Sequence, residues 1–333
     1  MRCEGVMASD GTVAAAVPQR TGLGIAFLVG GIAVFSIQDV VVKELSPYYS
    51  VSQFVLLRTL FSILPILALV VFEGGLANLR FSRPKLHILR GTLLFLAYVT
   101  YFMAIASVPL ATAVALFLCS PLIVAALAAL LLKEKVGIRR WLAVIVGLCG
   151  VLLILRPGSG AIEPGLLIAV VPAVIYACTI ILTRKLSSSE TGISMVVSQT
   201  FVYLVLGIVF SAGLQALALD PGDDKALQFL LGGWRMPEMG HLGLIALCGI
   251  IAAAGFYGIT QGYRMVASSV AAPFEYTGML WGLTWGYLFW AEIPSSTSFV
   301  GMAVIVAAGL YIIHREALRN RQIVSGKPLR QRT

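Results

Sequence analysis

Three charged side chains, Asp39, Arg58 and Glu275, lie inside long apolar stretches of the sequence. A charge at the centre of a bilayer costs at least about 2.5–3.5 kcal/mol on insertion scales, so it normally faces a partner, a water-filled cavity or a ligand. With a helical rise of about 1.5 Å per residue, Asp39 and Arg58 come about 5 and 10 Å from the same end of their helices. They are expected to form an ion pair between the two helices, or to act as a gate or ligand contact. Asp39 could also reach the aqueous surface.

Glu275 stands in the segment VAAPFEYTGMLWGLTWGYLFWAE, residues 270–292. It lies about 7 Å inside its predicted helix, and Arg90 has a similar depth on the same side. One interpretation is an ion pair between these two residues. In the other, Glu275 lines a central cavity, where it binds a cationic group or carries a proton, because desolvation favours the protonated carboxyl group. Pro273 cannot donate a backbone hydrogen bond and perturbs the turn that contains Glu275.

Aromatic and amide side chains in the apolar stretches extend this set of candidates. Planar ligands stack on aromatic rings, and cations bind over their faces. The alternative is that these rings contact lipid or form the belts found at both membrane surfaces. The further candidates for ligand binding or gating are Gln38, Tyr98, Tyr101, Tyr176, Tyr257, Gln261, Tyr276, Trp281 and Trp285.

The sequence contains no recognisable catalytic or metal-binding constellation. His87, His241 and His314 lie near helix ends, with no HExxH motif, and the five cysteines include no CxxC pair. We therefore predict no metal, no cofactor and no enzymatic activity. The net charge of +9 is concentrated in short loops and the C-terminal tail, so a membrane surface explains it better than nucleic acid binding does.

Composition indicates the elements that must position these residues. The 333 residues are 59% hydrophobic and 12% charged, with a mean hydropathy of +0.94, whereas soluble domains have about 25% charged residues. Apolar runs of about 18–25 residues match the thickness of a bilayer. The predicted fold is all-α, a polytopic membrane protein with ten transmembrane helices as two inverted five-helix repeats. The helices are predicted at 21–42, 51–72, 87–106, 110–131, 139–156, 164–183, 192–219, 240–263, 270–290 and 297–314.

Lysine and arginine are distributed unequally between the two ends of this bundle. Nineteen of the 24 fall on the side of the termini, and four fall on the opposite side. Because cytoplasmic loops carry the excess of positive charge, both termini are expected in the cytoplasm and the 220–240 loop in the periplasm.

The two halves of the chain resemble each other. Residues 130–155, LLLKEKVGIRRWLAVIVGLCGVLLIL, align with residues 288–313 at an offset of 158, so that Glu134 corresponds to Glu292. With five helices in each half, the second repeat enters the membrane from the opposite side. The predicted units are a cytoplasmic segment at 1–20, repeats at 21–156 and 164–314, and a basic cytoplasmic tail at 315–333.

Four segments carry a resemblance to a known family: FSIQDVVVKEL, VSQFVLLRTL, SVPLATAVALFLCSPLIVAALAALLLKEKV and YRMVASSVAAPFEYTGMLWGLTWGYLFWAEIP. With the ten helices, the repeat and a glutamate closing the fourth helix of each half, they resemble the drug/metabolite transporter superfamily in its EamA-like branch. The resemblance covers about residues 21–315. It implies a carrier of small metabolites in a bacterial inner membrane, without an ATP-binding part. The pieces PFEYT and LFWAEIP are most similar to bacterial carriers of S-adenosylmethionine or riboflavin.

We therefore expect a secondary active transporter of a small organic metabolite that works by alternating access. The metabolite could be S-adenosylmethionine, riboflavin, or another amino acid or metabolite. The expected partners are this substrate, membrane lipids and a coupling proton, with no nucleic acid. The alternative is an integral membrane protein that does not transport, such as a receptor-like or scaffold bundle.

Overall fold

A computed structural model describes residues 21–131, 137–156, 164–186, 189–217, 219–220, 222, 224–265 and 272–324. The described chain is helical, with short 3₁₀ helices at Leu76–Asn78 and Ala272–Tyr276. The α-helices are α1 (Thr21–Leu45), α2 (Val51–Phe72), α3 (Pro84–Ser107), α4 (Leu110–Phe117), α5 (Ser120–Leu131), α6 (Ile138–Leu155), α7 (Pro164–Leu186), α8 (Gly192–Leu217), α9 (Lys225–Leu231), α10 (Met239–Met265), α11 (Thr277–Trp290) and α12 (Ser296–Val324).

Nine spans in the described chain are long and apolar enough to cross a membrane, with α4 and α5 counted together. They are apolar on all sides, as expected for helices that contact lipid or other helices rather than water. The fold is therefore that of a polytopic helical membrane protein, as predicted. The predicted span at 270–290 is not among the nine, because its α-helical part, α11, has only 14 residues.

The fourth and ninth predicted spans are both interrupted. The fourth breaks between Phe117 and Ser120, where Pro121 cannot donate a hydrogen bond to the preceding turn. The ninth begins with the 3₁₀ turn Ala272–Tyr276 before α11 starts. These two spans correspond to each other in the repeat, and in transporters discontinuous helices of this kind form the binding site.

The packing of the helices follows the repeat. α1 packs on α10 as α3 packs on α7, and α2 packs on α10 as α3 packs on α8. The pairs α2–α8, α4–α11 and α6–α12 join corresponding spans of the two halves. If each span is replaced by the corresponding span of the other half, each of these pairs becomes another pair in the set or stays the same. This arrangement is the one expected for two inverted repeats.

Contacts between connections define the two ends of the bundle. At one end, Tyr49 bonds His241 at 2.8 Å and the Gln53 side-chain amide donates to the Arg235 carbonyl at 2.6 Å. At the other, the Arg80 amide donates to Ser194 Oγ at 2.7 Å. We call the first the outer end and the second the inner end, after the sides predicted from charge. The predicted segment 1–20 and residues 325–333 of the predicted tail lie outside the described residues.

Small residues bring α11 against α4. A Cβ atom placed on Gly282 would lie 3.1 Å from Val114 and 3.4 Å from Ala111, tighter than most side-chain contacts. The backbone of α11 therefore approaches α4 closely, as small residues allow in membrane helices. This contact sets the position of the tryptophans that α11 carries.

Candidate functional site

Asp39 and Arg58 each contact a different tyrosine of α3. The Tyr101 hydroxyl donates to Asp39 Oδ2 at 3.0 Å. The Arg58 guanidinium carbon lies 4.4 Å from the centre of the Tyr98 ring, in cation–π contact. The expected ion pair between Asp39 and Arg58 is not formed. Its physical reason is that α1 and α2 both pack on α3, so the faces that carry the two charges meet α3.

An aromatic path leads from this point across the centre of the bundle. The ring centres of Tyr101 and Phe117 are 5.0 Å apart, and those of Phe117 and Tyr176 are 5.2 Å apart. On the other side, the ring of Tyr98 is 5.9 Å from that of Tyr203 on α8. The path joins both repeats and passes the break at the end of α4. Sequence reasoning missed Phe117 and Tyr203. The signal for Phe117 was its place just before the break at Pro121, and the signal for Tyr203 was a hydroxyl group within an apolar run.

Trp281 and Trp285 stack with their ring centres 5.9 Å apart and a 19° angle between the planes. Trp285 Nε1 donates to Ser36 Oγ on α1 at 2.8 Å, one turn before Asp39. Both rings therefore face the interior of the bundle rather than lipid. Tyr276 is also buried and packs on α12, where its hydroxyl occupies the space that a Cβ atom of Gly309 would take.

Several of the predicted site residues bury a polar side-chain atom that has no hydrogen-bond partner within the described chain. Buried polar atoms are normally paired, so each such atom is a place where water or a ligand can bind. Gln38 and Arg58 are only 2% and 8% exposed. The atoms are Gln38 Oε1, Arg58 Nε, Tyr98 Oη, Tyr276 Oη and Trp281 Nε1.

A cavity of about 80 Å³ lies between α2, α8 and α10. Its polar lining comes from Arg58, Thr59, Ser62, Gln199, Thr200 and Tyr203. Pockets for organic ligands measure about 300–1,000 Å³. The cavity in this structure is therefore smaller than a pocket for an organic metabolite.

Other predicted residues lie elsewhere. Arg90 does not pair with Glu275, because its Nε donates to Thr183 Oγ1 at 2.8 Å and its Nη1 to the Met195 carbonyl at 3.3 Å. Arg90 thus ties α3 to α7 and α8.

Glu275 is half-buried in the 3₁₀ turn before α11, within electrostatic range of Tyr176. Tyr257 is 38% exposed and lines an apolar groove between α1 and α10. The side chain of Gln261 lies outside the described residues.

The outer end is closed by a polar cluster that sequence reasoning did not assemble. Lys43 Nζ lies 2.5 Å from Glu292 Oε1 and donates to the Val108 carbonyl at 3.1 Å. Glu292 Oε2 accepts from the Leu110 amide at 2.9 Å, and Lys43 lies 5.0 Å from the centre of the Trp290 ring. These contacts join α1, the start of α4 and the end of α11, and we call this cluster the outer latch.

The backbone turn after α11 directs the Glu292 carboxylate toward Lys43 and Leu110. Ala291 has a left-handed conformation with φ of 51°, and the Glu292 amide donates back to the Gly286 carbonyl at 3.0 Å. This is the pattern of a helix C-cap, which usually places glycine at the left-handed position. The turn reverses the chain so that the carboxylate lies against α1 and α4.

Comparisons with known proteins agree with this architecture. The model of the EamA-like transporter family matches residues 22–156 and 163–314. A crystal structure shares the fold over 89% of this chain and 98% of its own, with a TM-score of 0.55 and 20% identity.

Curated relatives are similar over most of their length. An S-adenosylmethionine uptake transporter of Rickettsia bellii is 26% identical over 88% of this chain and 94% of its own. A riboflavin transporter of Rhizobium johnstonii is 29% identical over 74% and 76%, and a pseudopaline exporter of Pseudomonas aeruginosa is 27% identical over 82% and 90%. These relationships indicate an integral membrane transporter of small molecules. By the match of the family model to both halves, the chain belongs to the EamA-like transporter family.

Proposed function

We propose that the protein is a secondary carrier that moves a small organic metabolite across a bacterial inner membrane by alternating access. One observation carries the proposal: helices of both repeats bury polar side-chain atoms that have no hydrogen-bond partner in the described chain, and the outer latch joins α1, α4 and α11 toward the outer end. A binding site near the middle of inverted repeats, closed toward one side, is what alternating access requires. The two predicted repeats, 21–156 and 164–314, would rock against each other about this site.

The outer latch is suited to opening and closing. Its two charged side chains are 11% and 23% exposed, so water can replace their contacts when they separate. The cost of removing two charges from water offsets much of the attraction within a largely buried ion pair, so substrate binding or helix motion can separate it. Movement of the end of α11 away from α1 and α4 would break the contacts of Glu292 and Trp290 with Lys43 and Leu110 together.

The relatives suggest two cargoes to test first. S-adenosylmethionine is named for the Rickettsia transporter and riboflavin for the Rhizobium transporter. One relative is named for uptake and another for export, so the direction of transport is a separate question. We propose Glu275 as the residue that carries a coupling proton, since it is a half-buried carboxylate beside the aromatic path.

Flux in reconstituted liposomes tests the proposal. The purified protein should move radiolabelled S-adenosylmethionine or riboflavin without ATP, and a pH gradient should change the rate. Protein-free liposomes provide the control. Absence of flux and binding across a broad panel of metabolites would instead favour a non-transporting membrane bundle.

A further inference from the structure

Arg58 is a buried cation that forms no ion pair with another described residue. It is 8% exposed, its Nε has no hydrogen-bond partner, and its described contact is with the Tyr98 ring. The guanidinium group presents its donors in a planar fork that fits the two oxygens of a carboxylate. A ring stacked on one face of the group leaves its edge available for such a ligand.

Asp39 supplies the opposite charge in the same region without neutralising Arg58. Tyr98 and Cys248 each lie within electrostatic range of both Asp39 and Arg58. The Asp39 carboxylate is oriented by Tyr101, and Tyr98 and Tyr101 are three residues apart on one face of α3. The site therefore offers an anion and a cation at separate, fixed positions.

We propose that the cargo of this carrier is a zwitterion with a carboxylate bound by Arg58, an ammonium group bound near Asp39, and a planar group on the aromatic path. The inference rests on the proposed transport function and narrows its substrate class. A zwitterion satisfies the buried charge of Arg58 and the half-buried charge of Asp39 at once. A ligand that lacks one charge leaves the matching side chain desolvated and unpaired, which is the strongest basis for rejecting an analogue. Neutral planar compounds such as riboflavin are then disfavoured.

Matched ligands can separate the two charges. Calorimetric titration of the purified protein would compare phenylalanine with phenethylamine, which lacks the carboxylate, and with 3-phenylpropionate, which lacks the amine. S-adenosylhomocysteine and 5′-methylthioadenosine form a second pair, since both are neutral thioethers and only the first has the zwitterionic head. S-adenosylmethionine, the other common amino acids and riboflavin complete the panel. At least one zwitterion should bind about 10- to 100-fold more tightly than its analogues with one head charge or none, the factor expected for one charged hydrogen bond.

Two variants test which residue binds each charged group of the ligand. Arg58→Gln should remove the preference for ligands with a carboxylate and leave the binding of phenethylamine unchanged. Asp39→Asn should remove the preference for ligands with an amine and leave the binding of 3-phenylpropionate unchanged. Arg90→Gln is the matched control, because this buried arginine already bonds Thr183 and Met195. It should lower thermal stability without changing the ratio of affinities.

The outcomes distinguish the inference from the function on which it rests. If riboflavin binds and is transported while every zwitterion in the panel fails to bind, the zwitterion proposal is wrong and the carrier function stands. If Arg58→Gln weakens all ligands equally, Arg58 supports the fold and does not select the carboxylate. Failure of every compound to bind and to move in liposomes would remove both proposals.

Discussion

Lys43 and Glu292 are separated by 249 positions in the sequence, yet their side chains meet at 2.5 Å and close the outer end of the bundle. Glu292 also accepts from the Leu110 amide, so one carboxylate joins α1, α4 and α11. Opening toward this side requires that these contacts break. The outer latch therefore makes the alternating-access proposal accessible to mutation.

Glu292→Gln should weaken the latch and expose the interior from the outer end. A cysteine placed at Thr112, which is 4% exposed on α4, should then react faster with a membrane-impermeant thiol reagent in a background without the native cysteines. Lys43→Met should have the same effect. In a double-mutant cycle, the coupling between the two residues should be about 0.5–3 kcal/mol. Unchanged labelling in both variants would show that the latch does not gate this end.

Ala291→Gly should stabilise the protein. Ala291 has φ of 51°, a conformation that costs an L-residue about 1–2 kcal/mol and that glycine adopts freely. After subtraction of the greater chain entropy of glycine, we expect a gain of about 0.5–1 kcal/mol in thermal unfolding in detergent. Ala291→Val is the control, since a β-branched residue at this position should lower the midpoint.

The hydrogen bond from Tyr101 to Asp39 should be measurable as a specific coupling. Tyr101→Phe removes the donor from a carboxylate in the interior, with an expected loss of about 1–3 kcal/mol in the free energy of unfolding. Asp39 and Tyr101 should be coupled more strongly than Asp39 and Arg58, which share no direct contact. A larger coupling for Asp39 with Arg58 would support the ion pair first predicted from the sequence.

Glu275→Gln should leave the protein folded in the membrane but reduce transport or change its dependence on pH. The neutral amide keeps the shape of the side chain and cannot exchange a proton. Transport in liposomes at several external pH values, compared with the thermal midpoint of the same variant, separates a mechanistic role from a structural one. Near-normal transport with the same pH profile would exclude Glu275 as the coupling residue.

Labelling in whole cells tests the orientation. A cysteine at Asp220, exposed at the outer end, should react with an impermeant reagent in intact cells. A cysteine at Lys85, exposed at the inner end, should react only after the membrane is opened. The opposite pattern would reverse the predicted topology.

Local properties of the sequence were sufficient for the class of protein. Hydropathy over about 20 residues predicts a membrane-spanning helix, and the helical rise gives the predicted depths of Asp39 and Arg58 along it, whereas Glu275 lies in a 3₁₀ turn rather than inside a long helix. The fold class, the apolar spans and the family resemblance follow from such local signals. The interruption of α4 near Pro121 could also have been predicted from the residue itself.

Tertiary structure decided which side chains meet. A helix that is apolar on all sides gives no signal for the direction in which a charge points, because lipid and neighbouring helices are equally apolar. Sequence reasoning therefore predicted an ion pair between Asp39 and Arg58. In the structure α3 lies against both helices, so that Asp39 accepts a hydrogen bond from Tyr101 and Arg58 contacts the ring of Tyr98. The contact between Lys43 and Glu292 arises in the same way, since only the close approach of α1 and α11 brings these distant residues together.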